Sequence, residues 1–599
     1  MRNLIAVDNL SELRYIESCN PSLINAPLIL LSSNFSYQSL VEFKKRQFYS
    51  YDENITTSDA ARMDKDIHQI LWKWFEDDDG RDLSNVDGCS LGIVFTPSVE
   101  FILNTILRYQ HGLASLLKTD DVVYYSSQTE DIFIDVLHSL QKKMHFKCVE
   151  IKYNQEQKYA TLEGGIQTFD PNGRKRDLSQ LFKLASLVKR VIFKFLVTFQ
   201  VSVDNNRVLL VPTGKLNEYI NDVKTNNNVK DFAWMFPLSG FADIKKFFNR
   251  STLSYYFCNI GISNPRKIDI VTLKLKENLK IFNDIIDSSL MTGVFSRNIF
   301  SYFEGALGYY HSARITMTSL KPSLVVVSDD GYENFIIAAQ AAIQHNIPVA
   351  MIPHGIYDWG YKELRHGKYK LFDYLFSFGK VDADNFILSG APVDNVKITS
   401  FPYFERFLPF VKGRKVSSYK KVLILSPDFF NFFPGEKISE EYRFYNQICL
   451  LFKKLNIEII GIKARHHFHY KNLGIDNNVL NIGGCSMNLL SGYKDFPSHL
   501  DGVDFVVGPA STALIEAGLL GKDYYVYQHT FFQQISTSMG DALFDVVNAS
   551  FSIQQLEKNI ISRCPYKSGK SVRDIIDLSG VNTKDDLYSK FEANISAVL

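Results

Sequence analysis

The chain has 599 residues, enough for several domains, and 46% of them are hydrophobic, as in an ordinary globular protein. Its 66 Lys and Arg residues balance 65 Asp and Glu residues, so the charge gives no reason to expect a nucleic-acid partner, and none is predicted. Seven scattered cysteines without a Cys-x-x-Cys pair argue against a disulfide framework and against a zinc site.

Strand-like and helix-like segments alternate along most of the chain, which is typical of a parallel sheet covered by helices on both faces. Near the N-terminus we predict strands at "NLIAV", "LGIVF" and "DVVYYS". Residues from about 155 to 320 are less regular and contain loop signals, so we interpret them as helical insertions. The alternation returns in "LVVVSDDGYENFIIAAQAAIQHNIPVAMIPHG", residues 324–355.

The polar, basic stretch "VKGRKVSSYK" (411–420) is the predicted linker, and the alternation restarts beyond it at "KKVLILSP". We therefore predict an α/β protein with two Rossmann-like, doubly wound domains that face a cleft. These are residues 1–410 and 421–580, followed by a closing helix at 581–599. Ligands bind such sheets outside the carboxyl ends of the strands, so strand ends are the candidate sites.

The segment "DFVVGPASTALIEAGLLGKDYYV" (504–526) combines a strand end with a helix start. Ser511 and Thr512 are small hydroxyl residues of the kind that caps helices, and backbone N–H groups at a helix start bind phosphate. Glu516, one turn further on, can reach a ribose hydroxyl. The alternative is that Ser511 only caps the helix and that Glu516 is a solvated side chain.

The segment "GIKARHHFHY" (461–470) also follows a predicted strand. This segment supplies hydrogen-bond donors for a phosphate or carboxylate, and Ser426 lies at the end of another predicted strand. Together they complete the predicted nucleotide site. The residues are Ser426, Lys463, Arg465, His466 and His467. The histidines have no convergent carboxylate or cysteine, so we predict no metal and no cofactor. The alternative is an exposed basic turn.

The catalytic candidates follow two successive strands of the stretch 324–355. Asp329 and Asp330 come after "LVVV", where one carboxylate can act as base, nucleophile or hydroxyl-binding group. His354 comes after "IPVAMIP", beside a glycine that leaves room for a ligand. The alternatives are a turn with a helix cap at Asp330 and a structural histidine.

The sequence predicts a cytoplasmic protein, because acidic residues interrupt the N-terminal apolar core that a signal peptide needs. No apolar run approaches the roughly 20 residues that span a bilayer. However, "GRKRDLSQLFKLASLVKRVIFKFLVTF" (173–199) is basic and apolar, as in helices that lie on the inner membrane surface. We expect peripheral membrane contact there; the alternative is a core helix with snorkelling lysines.

Neither a P-loop nor a dinucleotide-binding glycine motif is present, which disfavours nucleotide hydrolases and NAD enzymes. Instead, the stretch 324–355, with its strand, helix and final "IPHG", resembles bacterial GT-B glycosyltransferases of surface-polysaccharide synthesis. "IKARHH" is similar to a Lys-x-His-Pro motif of enzymes that use CMP-activated acidic sugars, although the proline is absent. "GPASTALIEAGLLGK" resembles the serine-rich helix start of the same enzymes. The resemblance covers residues from about 320 to 530.

This resemblance implies a GT-B fold with an N-terminal acceptor domain and a C-terminal nucleotide-sugar domain. It implies transfer of 3-deoxy-manno-octulosonic acid (Kdo) or another acidic sugar from a CMP donor onto a lipid-linked glycan of lipopolysaccharide or capsule. Related β-Kdo transferases use an aspartate as nucleophile, so the resemblance makes Asp329 or Asp330 the candidate for that role. The alternatives are a CDP-polyol phosphotransferase of the teichoic-acid type, a sugar-nucleotide 2-epimerase and a non-catalytic glycan-binding scaffold.

Overall fold

The structure is a computed structural model. It describes residues 2–7, 10–31, 47–51, 54–127, 129, 131–152, 208–211, 232–238, 254–260, 265–327, 333–352, 371–388, 390–399, 407, 418–426, 438–463, 479–482, 485–490, 496–508, 512–527, 550, 552–565, 589, 593, 595, 597 and 598. The chain divides into two compact units. One comprises Met1–Ile67, Ile102–Ile166 and Pro409–Val572, and the other comprises His68–Phe101, Gln167–Leu408 and Arg573–Leu599.

The first sheet is five-stranded and parallel, with the order β3-β2-β1-β6-β7. Its strands are β1 (Asn3–Val7), β2 (Leu28–Leu30), β3 (Phe48–Ser50), β6 (Val122–Ser126) and β7 (Lys147–Ile151). A separate antiparallel hairpin pairs β4 (Asn85–Val86) with β5 (Cys89–Ser90). The helices of this part of the chain are α1 (Leu10–Cys19), α2 (Thr57–Leu71), α3 (Leu91–Leu116) and α4 (Asp131–Met144).

The second sheet is seven-stranded and parallel, with the order β10-β9-β8-β11-β12-β13-β14. Its strands are β8 (Val208–Val211), β9 (Phe232–Leu238), β10 (Ser254–Cys258), β11 (Leu324–Val327), β12 (Val349–Met351), β13 (Tyr374–Ser377) and β14 (Val396–Ile398). The helices are α5 (Pro265–Asn278), α6 (Ser288–Asn298), α7 (Phe303–Leu320), α8 (Glu333–Ile343) and α9 (Lys380–Leu388).

The third sheet is six-stranded, with the order β17-β18-β16-β15-β19-β20, and only β17 runs antiparallel. Its strands are β15 (Lys421–Leu425), β16 (Glu458–Lys463), β17 (Val479–Ile482), β18 (Cys485–Leu490), β19 (Phe505–Gly508) and β20 (Asp523–Val526). The helices are α10 (Ile438–Leu455), α11 (Phe496–Asp501), α12 (Thr512–Leu519) and α13 (Ile553–Ile561). Short 3-10 turns elsewhere cover Pro21–Leu23, Leu279–Phe282, Phe300–Tyr302 and Val393–Asn395.

All three sheets are doubly wound around their first strand, so the strand order reverses at one point in each sheet. These switch points lie between β1 and β6, between β8 and β11, and between β15 and β19. Ligands of open α/β sheets bind in the crevice outside the carboxyl ends of the strands at such a point. The predicted α/β class with Rossmann-like, doubly wound sheets is therefore confirmed, and there are three such sheets where the sequence predicts two.

The region from about 155 to 320 is not a purely helical insertion. It holds β8, β9 and β10, and β8 pairs with β11 in the middle of the second sheet. The predicted boundaries at 410, 420 and 580 and the cleft between domains stay predictions. Of residues 581–599, those at 589, 593 and 595 are helical.

Buried apolar runs form the strands, as expected for parallel sheets covered on both faces. All four residues of β8, of β11 and of β19 are buried. "LGIVF" is the exception, because it begins the 26-residue helix α3 and is not a strand. Among the described residues α3 alone is long and apolar enough to cross a membrane, but more than half of its apolar window is buried in the protein, as is common for a core helix.

Candidate functional site

The carboxyl edge of the third sheet brings together residues that lie far apart in the chain. Ser426 directly follows β15, Lys463 ends the neighbouring β16, and Gly508 ends β19 on the other side of β15. The backbone N–H of Ser426 donates to the carbonyl oxygen of Lys463 at 3.0 Å. Two of the predicted nucleotide-binding residues are therefore neighbours beside the switch point.

Ser426 is held by a residue that no local motif of the sequence indicates. Tyr445 lies on α10, is 2% exposed, and its hydroxyl donates to Ser426 Oγ at 3.1 Å. A buried tyrosine hydroxyl usually needs a partner, and here that partner is a side chain at the strand end. The pair therefore fixes the position of the Ser426 hydroxyl at the carboxyl edge.

Lys463 is a strand residue and only 8% exposed, so the alternative of an exposed basic turn is wrong for this residue. Its ammonium group lies 5.8 Å from the centre of the Phe496 ring, at the start of α11. A ring face attracts a cation, and this attraction offsets part of the cost of burying the charge. Lys463 thus places a positive charge at the end of β16.

Gly508 allows the ends of β19 and β15 to approach each other closely. A Cβ atom on Gly508 would lie 2.6 Å from Leu425 Cβ and 3.1 Å from the Leu425 carbonyl oxygen. Any side chain would therefore push the two strands apart at the switch point. The missing side chain therefore leaves room for Leu425, and β19 can lie close against β15 at its carboxyl end.

Helix α12 begins at Thr512, four residues after the end of β19. The structure thus confirms a helix start at this point of the chain. Glu516 lies in this helix and is 4% exposed, so the alternative of a solvated glutamate is wrong. A buried acceptor and a helix start lie together in the segment that follows the switch-point strand.

Buried glutamates recur after the switch-point strands of the other two sheets. Glu12, in the first turn of α1 after β1, is 3% exposed, and the Thr129 hydroxyl donates to it at 2.6 Å. Glu333, the first residue of α8 after β11, is 4% exposed. No sequence motif indicates either residue as functional, because a glutamate near a helix start normally indicates only a favourable interaction with the helix dipole.

The remaining predicted site residues lie outside the described residues and stay predictions. They are Asp329, Asp330, His354, Arg465, His466, His467 and Ser511, together with the side chain of Thr512. The basic segment 173–199 also lies outside them. Within the described ranges, no group of three or more His, Cys, Asp and Glu residues is placed to hold a metal ion.

No protein-family model and no curated protein matches the chain. Solved structures that resemble it include UDP-GlcNAc 2-epimerase from Methanocaldococcus jannaschii, at 12% identity over 66% of this chain and 100% of that chain, with a TM-score of 0.37. MurG from Acinetobacter baumannii is 11% identical over 65% of this chain and 95% of that chain, with a TM-score of 0.33. MnaA from S. aureus, solved with UDP, is 10% identical over 66% of this chain and 98% of that chain, with a TM-score of 0.38. Such low TM-scores carry no argument about activity.

Proposed function

We propose that the protein is a nucleotide-sugar-dependent glycosyltransferase whose third sheet binds the nucleotide. The observation that supports this most is the meeting of Ser426, Lys463 and Gly508 at one switch point, directly before the helix that contains Glu516. This is the edge at which doubly wound sheets bind nucleotides. The residue types also match two parts of a nucleotide, the phosphate and the ribose.

Each described residue has a chemical role in this proposal. The Lys463 ammonium and the N–H groups at the start of α12 bind the phosphate, because both offer positive charge to an anion. The Glu516 carboxylate accepts hydrogen bonds from ribose hydroxyls. The Ser426 hydroxyl, held by Tyr445, binds the phosphate or the sugar. Gly508 lets β19 lie close to β15, which sets the shape of the sheet edge at the switch point.

The finer proposal follows the sequence resemblance. The donor is a CMP-activated acidic sugar such as Kdo, and the acceptor is a lipid-linked surface glycan at the cytoplasmic face of the membrane. Asp329, Asp330 and His354 supply the nucleophile or base of the transfer. A CDP-polyol phosphotransferase and a sugar-nucleotide 2-epimerase use the same kind of nucleotide site, so the reaction itself needs a direct test.

The test uses full-length protein with CMP-Kdo, a CMP-sialic acid, CDP-glycerol and UDP-GlcNAc, each with and without a glycan acceptor. Acceptor-dependent release of CMP supports the proposal, whereas release of CMP from CDP-glycerol indicates a phosphotransferase. Conversion of UDP-GlcNAc into its 2-epimer without an acceptor indicates an epimerase. If calorimetry shows no binding of CMP, CDP or UDP, the proposed nucleotide site is wrong and a glycan-binding scaffold is the better interpretation.

Replacing Tyr445 with phenylalanine is expected to raise the dissociation constant for the nucleotide about 3- to 10-fold, the usual effect of one lost hydrogen bond. The matched control is Tyr525→Phe. Tyr525 belongs to the same buried core, and its hydroxyl donates to Tyr419 Oη at 3.0 Å, beside the amino end of β15. Both variants should lose similar stability, but only Y445F should lose affinity. Equal affinity changes in calorimetry would remove the role assigned to Tyr445.

A further inference from the structure

A buried carboxyl group lies at the carboxyl edge of the second sheet. Glu333 begins α8, the helix that follows the switch-point strand β11. Its side chain reaches α3, where the hydroxyl of Ser98 donates a hydrogen bond to Glu333 Oε1. Ser98 itself is only partly buried, whereas Glu333 is 4% exposed.

A neutral side chain also docks α8. Two turns further along the same helix, Gln340 makes two hydrogen bonds with the backbone of Ser90: Ser90 N–H donates to Gln340 Oε1 at 2.7 Å, and Gln340 Nε2 donates to the Ser90 carbonyl at 3.1 Å. A neutral amide at position 340 therefore docks the helix. An amide at position 333 could dock it equally well, so the ionisable group needs another reason.

Burial raises the pKa of the Glu333 carboxyl, although the Ser98 hydroxyl and its own backbone N–H partly oppose this shift. No charged side chain among the described residues contributes to the shift. On the adjacent helix α7, burial is the largest cause of the pKa shifts of Tyr310 and His311. The charges of Arg314 and Asp87 also act on both groups, and Glu333 contributes to neither shift. A carboxyl group of this kind costs stability when it is ionised, and perturbed pKa values cluster at functional sites.

The next residue also has a polar atom that a ligand can satisfy. The side-chain oxygen Oδ1 of Asn334 is buried and accepts no hydrogen bond from any described residue. Buried acceptors normally have a donor, and a hydroxyl group of a bound sugar would supply one. Glu333, Asn334 and Ser98 therefore combine a proton acceptor, an open acceptor and a linking hydroxyl beside a switch point.

We propose that Glu333, acting through the hydroxyl of Ser98, accepts the proton of the attacking sugar hydroxyl bound at the carboxyl edge of the second sheet. The ligand proton moves to Ser98 Oγ while the proton of Ser98 moves to Glu333 Oε1. The ligand oxygen bonds to the anomeric carbon of the donor sugar, whose bond to the phosphate breaks, and the nucleotide leaves as the anion. This assignment rests on the proposed function and gives the role of base to Glu333 in place of Asp329, Asp330 and His354.

The test compares turnover, nucleotide binding and melting temperature of the full chain and of Glu333→Gln, with CMP-Kdo as donor and a glycan acceptor. General base catalysis is worth about 100-fold or more, so turnover should fall by at least that factor with unchanged CMP affinity. A base must be ionised, so wild-type turnover should decline as the pH falls through the raised pKa of Glu333. E333Q should lack this acid limb, and Ser98→Ala should reduce turnover in the same direction.

Stability separates this role from a structural one. A raised pKa in the folded state means that stability is lost as the pH rises through it, so E333Q should melt at the same temperature as the wild type at pH 8, or higher. The matched control is Gln340→Met, which leaves the Ser90 backbone groups without their partner. Q340M should melt lower but keep its turnover per folded molecule.

The outcomes distinguish the two proposals. If E333Q retains both turnover and the acid limb, Glu333 is not the proton acceptor and this inference is overturned, while the nucleotide site stands. If E333Q and Q340M both simply melt lower, Glu333 is a structural residue and the inference is again overturned. If the wild type binds no nucleotide, the proposed function fails and this assignment fails with it.

Discussion

Replacing Lys463 with methionine is expected to weaken CMP or UDP binding about 10- to 100-fold, the cost of losing a charge-assisted hydrogen bond to phosphate. Methionine keeps an apolar side chain of similar length against Phe496, so the end of β16 should remain packed. K463M should therefore stay folded, which its melting temperature checks. Calorimetry and thermal melts of the full chain measure both effects.

Two comparisons isolate the phosphate contact. The nucleosides cytidine and uridine lack the phosphate, so K463M should bind them as the wild type does. Lys421→Met is the matched control, because Lys421 is exposed and begins β15 at the opposite edge of the same sheet. If K463M binds CMP normally, or if K421M loses as much affinity, the phosphate does not lie at the carboxyl edge.

The carboxyl edge of the third sheet is the part of the site that the sequence predicts best. The strands β15, β16 and β19 are short apolar runs that end in, or are directly followed by, a polar or small residue, so the sequence shows where they end. Ser426, Lys463 and the helix start near Thr512 follow from these ends. Their neighbourhood also depends on strand order, which only the structure provides.

Other features depend on contacts between residues that are distant in sequence. Tyr445 gains its role from Ser426 on a different element, and Glu333 gains its role from Ser98, which precedes it by more than 200 residues. On its own, each residue looks like an ordinary member of an amphipathic or apolar helix. No local pattern distinguishes a buried glutamate from a solvated one when both lie near a helix start.

Two errors of element assignment have a simple cause. "LGIVF" is apolar and contains β-branched residues, but a run of five such residues also fits a buried helix, and α3 continues to Leu116. The strands β8 and β10 are only four and five residues long, and turn signals surround them. No local pattern indicates them, because the partner of β8 in the sheet is β11, whose residues are more than 100 positions away in the sequence.

Replacing Gly508 with alanine is expected to lower the stability of the third sheet by about 1–3 kcal/mol, the usual cost of overpacking a close-packed core. The new Cβ would lie 2.6 Å from Leu425 Cβ and 3.1 Å from the Leu425 carbonyl oxygen, so β19 must move away from β15. Leu425 is 2% exposed and cannot move aside freely. This separation opens the switch point at which the nucleotide is proposed to bind, so affinity should fall as well.

Gly502→Ala is the matched control for this change. Gly502 lies in the turn before β19, and a Cβ there would meet only the carbonyl oxygens of His499 and Ser498 at 3.6 and 3.7 Å, which is ordinary contact. G502A should leave CMP affinity unchanged and leave the denaturation midpoint unchanged or slightly raised, because alanine restricts the unfolded chain more than glycine does. Only G508A should lower both quantities. Should G508A keep full CMP affinity despite its lower midpoint, the close approach of β15 and β19 supports the fold alone, and the nucleotide site must be sought elsewhere along the sheet edge.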